Sequence, residues 1–184
     1  MKQLLIGIDV GSTTTKITVL DKTTESLLYS DYRRHHADQL ASVLFAIRQA
    51  AEKFPDTEAR IILTGSGAKP VAEAADTPYI QEVVANSIAL KKTYETVGTA
   101  IELGGQDAKI IFFQGSLEER MNGSCAGGTG AFIDQMAVLL DVTPSELDEL
   151  AQGAERIYTI ASRCGVFAKS DIQPLLNEGA RTED

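Results

Sequence analysis

Apolar and polar residues alternate along this chain with two periods, one typical of strands and one typical of helices. In the first half, strand-like patterns occur at residues 2–10, 15–20, 26–33 and 59–63. Apolar residues at helical spacing predict helices at residues 37–54 and 81–94. The order of a strand, its hairpin partner, a third strand, a helix, a strand and a helix predicts a mixed α/β sheet.

The second half begins with the same pattern and then departs from it. We expect a second hairpin directly after Gly98, a glycine-rich turn at residues 123–130, and helices that begin near Gly130, Thr143 and Cys164. The predicted lobes are residues 1–97 and 98–184, and the second lobe is expected to be partial. Because residues 177–184 are an unusual ending for a finished domain, the sequence is expected to be an N-terminal fragment.

A ten-residue pattern occurs twice, about half the chain apart. Residues 8–17 and 101–110 share an apolar residue, an acid, an apolar residue and a glycine, followed by lysine and isoleucine at matching positions. Each copy is typical of a strand, a tight polar turn and a second strand. A glycine backbone can approach a bound group closely, and exposed N–H groups in such a turn form an anion-binding concavity. Two such hairpins facing each other would hold a polyphosphate from both sides.

The repeat identifies candidate contacts to a nucleotide. Asp9 stands at a strand end, where a carboxylate can hold Mg²⁺. The candidate phosphate contacts are Gly11, Ser12, Thr13, Thr14 and Lys16 in the first copy and Gly104, Gly105, Gln106 and Lys109 in the second. One copy alone could be an ordinary Ser/Thr-rich turn, whereas two copies favour nucleotide binding. Gly65 and Gly67 are expected to serve as a hinge or in helix packing.

Composition excludes several function classes. The chain is 43% hydrophobic and carries a net charge of −9, which argues against a general nucleic-acid role because phosphate neutralisation needs a basic face. The short basic cluster at residues 33–36 is interpreted as a solvated strand end. Apolar runs are too short for a membrane span, and a signal-peptide pattern is missing at the start, so a cytoplasmic location is expected.

Two cysteines, Cys125 and Cys164, are too few for a secreted disulfide framework. Each is predicted to lie near a helix N-terminus, which favours the thiolate form. From the residues alone, two buried structural cysteines are the default interpretation. A metal site shared by two chains, or a four-thiolate zinc site, would use the same sulfur atoms.

Three motifs together resemble one protein family. Residues 101–109, 122–132 and 161–171 are similar to the activator ATPases of 2-hydroxyacyl-CoA dehydratases and the ATPase subunits of benzoyl-CoA reductases, within the superfamily of actin, heat-shock chaperone ATPases and sugar kinases. The resemblance covers essentially the whole chain. It implies a ribonuclease H-like fold of the actin and sugar-kinase type, with the first lobe and part of the second present.

The resemblance also implies a mechanism. Members of this family are homodimers bridged by one 4Fe–4S cluster, whose ligands here would be Cys125 and Cys164. A ferredoxin or flavodoxin supplies an electron, ATP binding and hydrolysis to ADP move a hinge near Gly98, and the electron passes to the dehydratase or reductase component. Asp9 and Asp107 are the candidates for positioning metal and water, with Glu102 as a third.

Some features are left open by the sequence or depart from the family. Gly128 and Thr129 could approach the nucleotide phosphates or could allow close packing beside the cluster. Glu102 stands where the superfamily usually has aspartate. The resemblance implies that the family's adenosine-binding glycine motif lies beyond residue 184, so the isolated fragment is expected to bind nucleotide weakly or not at all and to be inactive. The alternatives are a small-molecule kinase of the same superfamily and a non-enzymatic nucleotide switch or scaffold domain.

Overall fold

The computed structural model describes residues 3–122, 125–162 and 164–184. Gly123 and Ser124 of the predicted glycine-rich turn, and Arg163 of the third family motif, lie outside the described residues. The chain divides into two units, one formed by residues 3–98 and 113–115 and the other by residues 99–112 and 116–184.

The first unit contains a four-stranded sheet in the order β3-β2-β1-β4. The first three strands pair antiparallel, and β4 runs parallel to β1. Its elements are β1 (Gln3–Val10), β2 (Thr14–Asp21), β3 (Leu27–Arg34), α1 (Gln39–Lys53), β4 (Glu58–Thr64), α2 (Ala68–Ala74) and α3 (Glu82–Thr93). The parallel pair brings the C-terminal ends of β1 and β4 to the same edge of the sheet.

Alternation along β1 builds the core of the first unit. The side chains of every second residue of β1, including Ile8 and Val10, are buried, and Ile17 and Val19 of β2 join the same cluster. Helix α1 covers this face with Val43 and smaller residues. Burial of this apolar area fixes the register of the strands, because a slip of one residue would turn the apolar set to solvent.

The described residues of the second unit form a three-stranded antiparallel sheet in the order β5-β6-β7 and three helices. Its elements are β5 (Thr99–Leu103), β6 (Ala108–Phe112), β7 (Glu118–Met121), α4 (Gly130–Leu139), α5 (Pro144–Ala151) and α6 (Gly165–Asn177). The side chains of Thr143 and Glu146 form the predicted capping box at the start of α5. Strand β7 was not predicted, because all four of its residues are exposed and three are charged.

These elements confirm the mixed α/β class and most of the predicted strands and helices, with boundaries shifted by a few residues. The second unit also continues the repeat further than the sequence indicated, since β7 adds a third strand in the same relative place as β3. In the described part of the chain, no helix combines the length and the apolar character needed to cross a bilayer. The assignment of lobes to residues 1–97 and 98–184, and a hinge near Gly98, stay predictions.

Candidate functional site

The first hairpin joins β1 and β2 around an acid–lysine pair. Asp9 lies opposite Lys16 in the strand register, and Lys16 Nζ lies 2.8 Å from Asp9 Oδ2. Burial opposes the charged form of Lys16, but its hydrogen bond and Coulomb attraction to Asp9 outweigh this effect, so the pKa of Lys16 lies above its ordinary value. Lys16 is therefore a fixed positive charge beside the turn at neutral pH.

The second hairpin is built in the same way. Glu102 lies opposite Lys109 in the register of β5 and β6, and Lys109 Nζ lies 3.2 Å from Glu102 Oε1. Both turns are closed by one backbone hydrogen bond from the glycine to the residue three positions later, at 2.9 Å for Gly11 and 2.8 Å for Gly104. The duplication in the sequence is thus a duplication of structure, down to the ion pair and the turn.

The candidate nucleotide contacts predicted for each copy of the repeat lie together in one hairpin. In the first unit, Asp9 and Lys16 flank the turn that carries Gly11, Ser12, Thr13 and Thr14. In the second unit, Glu102 and Lys109 flank the turn that carries Gly104, Gly105, Gln106 and Asp107. The two lysine side chains differ in solvent exposure: that of Lys16 is 45% exposed and that of Lys109 is 13% exposed. That the two turns share one polyphosphate stays a prediction.

Two oxygen atoms at the ends of β1 and β4 are buried without a hydrogen-bond partner among the described residues. They are Asp9 Oδ1 and Thr64 Oγ1, and Asp9 and Thr64 are neighbours in the parallel register. An unsatisfied buried carboxylate oxygen is costly unless an ion or ordered water supplies the missing partner. Carboxylate and hydroxyl oxygens suit Mg²⁺ and its water ligands, so this donor set fits the metal predicted at Asp9. Thr64 was not among the residues predicted for the site.

Gly65 makes room for the Asp9 carboxylate. Its φ of +102° lies in the left-handed region, and a Cβ atom at this position would lie 2.4 Å from Asp9 Oδ1 and from the Val10 carbonyl oxygen. The expected role of Gly65 as a hinge or in helix packing stays a prediction, to which the structure adds this close approach to Asp9. Gly65 contacts the predicted metal-binding side chain, a contact that joins residues more than fifty positions apart and leaves no local signal in the sequence.

The basic cluster at residues 33–36 is not simply a solvated strand end. The side chain of His35 is only 5% exposed and lies against the first hairpin, where its Nε2 is 3.1 Å from the Gly11 carbonyl oxygen. Arg33 forms an ion pair with Asp31 and stacks on the ring of Phe45. The interpretation of the cluster as solvated is therefore wrong for His35.

The N-terminus of α4 holds the turn of the second hairpin. The N–H groups of Gly130 and Ala131 donate to the carbonyl oxygens of Gly104 and Gly105, each at 2.9 Å. Thr129 is fully buried, and its hydroxyl donates to the Ala126 carbonyl oxygen. The first helical N–H groups, which could have bound an anion, are thus committed to the hairpin.

The sequence allows two roles for Gly128 and Thr129, which are phosphate contact and close packing beside the proposed cluster. Gly128 is exposed, with a φ of +79°, and no atom lies within 4 Å of the place where a Cβ would stand. Thr129 is buried and bonded within its own turn. Phosphate contact stays a prediction for both residues.

Cys125 and Cys164 line one cavity of about 650 Å³ in the second unit. Cys125 is exposed and Cys164 is half-buried, so two buried structural cysteines do not describe them. Cys164 is the N-cap residue of α6, and the N–H of Gly127 donates to Cys125 Sγ at 3.3 Å. Cys125 Sγ thus accepts a backbone N–H, whereas Cys164 stands at a helix N-terminus without a side-chain cap hydrogen bond. Both settings favour the thiolate form. Within the described residues, no group of three or more His, Cys, Asp or Glu side chains is arranged to hold a metal ion.

Asn122 links the second hairpin to the cysteine loop. Its Oδ1 accepts the N–H of Ala108 at 2.8 Å, and its Nδ2 donates to the Cys125 carbonyl oxygen at 2.6 Å. Its own backbone N–H donates to the Ala108 carbonyl oxygen. Asn122 was part of a family motif but was not identified as a functional residue. Its position directly after β7, a strand that was not predicted, is the reason.

Several known proteins are similar to this chain in sequence and in fold. A sequence model described as the BadF/BadG/BcrA/BcrD ATPase family matches residues 6–184. The chain is 33% identical over 178 residues to the (R)-2-hydroxyglutaryl-CoA dehydratase activating ATPase of Acidaminococcus fermentans, an alignment that covers 95% of this chain and 68% of that relative.

Two solved structures have the same fold. Component A of the (R)-2-hydroxyglutaryl-CoA dehydratase of Acidaminococcus fermentans matches with a TM-score of 0.86 at 29% identity, covering 98% of this chain and 71% of that chain. The activator of the 2-hydroxyisocaproyl-CoA dehydratase from Clostridium difficile, with bound ADPNP, matches with a TM-score of 0.84 at 29% identity, covering 98% of this chain and 68% of that chain. These similarities confirm the ribonuclease H-like, actin-type ATPase fold and the family resemblance.

Substitution of Gly65 tests the close approach at the strand ends. We expect Gly65→Ala to lower the free energy of unfolding by about 2–5 kcal/mol, since the new Cβ adds a clash with Asp9 to the strain of a positive φ. Gly115→Ala is the matched control, because Gly115 also has a positive φ (+79°) but has no atom within 4 Å of a Cβ position. The control is expected to cost only about 1–2 kcal/mol. Equal losses in urea unfolding would show that the contact with Asp9 is not important.

Proposed function

The chain belongs to the BadF/BadG/BcrA/BcrD ATPase family, and from this premise we propose that it is an ATP-dependent activator of a CoA-ester dehydratase or reductase. In this proposal, a reduced ferredoxin or flavodoxin is oxidised by one electron. The electron reaches a 2-hydroxyacyl-CoA dehydratase or a benzoyl-CoA reductase component, which is reduced. Similarity to activators of two such dehydratases supports the dehydratase class of partner.

The duplicated hairpin is the observation that carries the nucleotide part of this proposal. Two turns of identical construction, each beside an acid–lysine pair, supply two sets of N–H donors and two lysine ammonium groups. A triphosphate needs both kinds of partner, because its charge is spread over several oxygen atoms. We propose that the two turns bind one nucleotide from opposite sides. The bound ADPNP in a structurally similar activator supports the ligand class.

The carboxylates have distinct proposed roles. Asp9 would hold Mg²⁺ through its buried Oδ1, which lacks a partner among the described residues, and Thr64 would orient a water ligand from the adjacent strand end. Bound Mg²⁺ would neutralise phosphate charge. Asp107 stands in the second turn and would orient the attacking water, with Glu102 as a second candidate. Glu102 is already paired with Lys109, which favours Asp107 for this role.

We propose that Cys125 and Cys164 hold an iron–sulfur cluster between two copies of the chain. A 4Fe–4S cluster takes four thiolates, one chain contains two cysteines, and a two-fold dimer supplies four. The observed fit is favourable, since both sulfur-bearing residues line one cavity and one of them starts a helix. Such a cluster would supply one-electron transfer. The exposed Val166 and Phe167, next to Cys164, would be covered by the second copy.

A short chain of contacts in the second unit supports coupling between nucleotide and cysteines. The turn of the second hairpin is bonded to the start of α4, and Asn122 bonds the same hairpin to the Cys125 carbonyl oxygen. A Cβ atom on Gly165 would lie 2.9 Å from the ring of Phe132 and 3.4 Å from Gly127. The start of α6 therefore packs against the start of α4 and against the loop that carries Cys125 and Gly127. Movement of the phosphate turn would therefore displace the backbone around both cysteines.

The alignment with the activating ATPase covers 68% of that relative. The family resemblance places the adenosine-binding glycine motif outside these 184 residues. We therefore expect this chain alone to contact the phosphates and the metal, to bind nucleotide weakly and to hydrolyse little ATP. Its phosphate, metal and cluster sites can nevertheless each be tested on the chain itself.

Anaerobic reconstitution with iron and sulfide tests the cysteine site. We expect roughly two iron and two sulfide per chain, since a 4Fe–4S cluster would be shared by two chains. The loaded protein is expected to be a dimer by sedimentation and to show the electron paramagnetic resonance signal of a reduced cluster. Cys125→Ser and Cys164→Ser should each abolish both the cluster and the dimer.

Ser162→Ala is the matched control for the cysteine variants, because Ser162 lines the same cavity and carries no thiol. It is expected to retain iron, sulfide and the dimer. A colourless protein that binds zinc instead, or iron retained by both cysteine variants, would contradict the proposed cluster.

The proposed metal site predicts a particular response to Mg²⁺. In calorimetry with ADPNP, Mg²⁺ is expected to tighten binding by about tenfold, the effect of one favourable charged contact. Asp9→Asn should remove this enhancement, while binding without Mg²⁺ stays the same or improves because Lys16 loses its partner. Asp31→Asn is the control, since Asp31 is also paired with a cation, Arg33, but lies on β3 and not in the turn between β1 and β2. Enhancement that survives Asp9→Asn would refute the assignment.

A further inference from the structure

His35 follows β3 directly and is held in one tautomer by its neighbours. Its Nδ1 lies 3.1 Å from the backbone N–H of Ala37, and this N–H can only donate. Nδ1 is therefore the unprotonated nitrogen, and Nε2 carries the hydrogen. Nε2 then donates to the Gly11 carbonyl oxygen at 3.1 Å, an atom that can only accept. Both ring nitrogens of this buried side chain are thus matched to fixed backbone partners.

The bonds from His35 are made to the carbonyl side of the first phosphate turn. Besides the ring contact with Gly11, the backbone N–H of His35 donates to the Thr13 carbonyl oxygen at 3.2 Å. The N–H groups of Ser12 and Thr13 form no hydrogen bond among the described residues. Carbonyl oxygens that pointed toward a phosphate would repel it, so a donor that holds them away leaves the N–H groups free to bind the anion.

We propose that His35 is a positioning residue that fixes the first hairpin in its phosphate-binding conformation through the Nε2–Gly11 hydrogen bond. This inference rests on the proposed nucleotide-binding function. It adds a residue that affects phosphate binding through the conformation of the turn. His35 acts through the turn and contacts no ligand itself. The turn is thereby built before the ligand arrives, and less ordering free energy is lost on binding.

Two conservative substitutions separate the two ring contacts. In His35→Gln, the amide nitrogen replaces Nε2 and can still donate to Gly11, while the acceptor for Ala37 is lost. In His35→Asn, the side chain is shorter, so it can still accept from Ala37 but cannot reach Gly11. The control is His36→Asn, at an exposed neighbouring histidine with a φ of 48°, a backbone conformation that asparagine tolerates.

The first readout needs no ligand. The Gly11 N–H is bonded to the Thr14 carbonyl oxygen across the turn, so its hydrogen-exchange protection measured by nuclear magnetic resonance reports whether the turn is ordered. We expect protection to fall about tenfold in His35→Asn, the equivalent of one ordinary hydrogen bond. His35→Gln and His36→Asn are expected to stay within about twofold of the parent chain, since both keep the Gly11 contact.

The second readout is titration with inorganic triphosphate and Mg²⁺, followed through the amide signals of Ser12 and Thr13. Affinity is expected to weaken about tenfold in His35→Asn and to remain close to the parent value in His35→Gln and His36→Asn. Inorganic triphosphate is used because it engages the turns without the adenosine site.

The outcomes separate this inference from the proposed function. Equal behaviour of His35→Asn and the parent, or equal losses in His35→Asn and His35→Gln, would overturn the positioning role of the Gly11 contact. If the parent chain fails to bind triphosphate, the proposed function of the hairpin is wrong, and the Gly11 protection still decides whether His35 orders the turn.

Discussion

A turn that binds phosphate through its N–H groups must direct its carbonyl oxygens elsewhere, and each of those oxygens then needs a donor. In the first unit, two segments outside the hairpin supply these donors. The N–H of Gly67 donates to the Val10 carbonyl oxygen, and His35 donates to those of Gly11 and Thr13. Strands β1 and β2 alone could not satisfy these atoms. The turn between β4 and α2 and the turn after β3 are therefore parts of the proposed phosphate site, although neither belongs to the hairpin.

In the second unit, a different element donates hydrogen bonds to the carbonyl oxygens of the turn. Here the donors to Gly104 and Gly105 are the first N–H groups of α4, at Gly130 and Ala131. The loop that leads into α4 carries Cys125. These hydrogen bonds join the turn to the start of α4, and a separate bond from Asn122 joins the same hairpin to the Cys125 carbonyl oxygen. The two hairpins share an acid–lysine ion pair and a closing hydrogen bond but contact different elements. This difference underlies the proposal of metal binding in one unit and coupling to the cysteines in the other.

Sequence predicted the parts of the site that are local and repeated. The acid, the glycine and the lysine of each hairpin follow from the duplication, because strand pairing alone places Asp9 opposite Lys16. The contacts of Thr64, Gly65 and His35 with the first hairpin could not be predicted, since each joins segments distant in the chain. Strand β7 gave no signal because its residues are exposed. The exposure of Cys125 and the partial exposure of Cys164 also ran against the usual burial of cysteine, and their proposed role came from family resemblance rather than from spacing.

The central claim is that the two turns bind a single nucleotide, and backbone amide resonances can test it directly. The chain would be titrated with ADPNP and Mg²⁺ while signals from residues 11–14 and 104–107 are followed in the same sample. One bound ligand predicts that both sets shift and saturate with one dissociation constant, however weak. Signals that move in one turn alone, or in the two turns with separate constants, would contradict the claim.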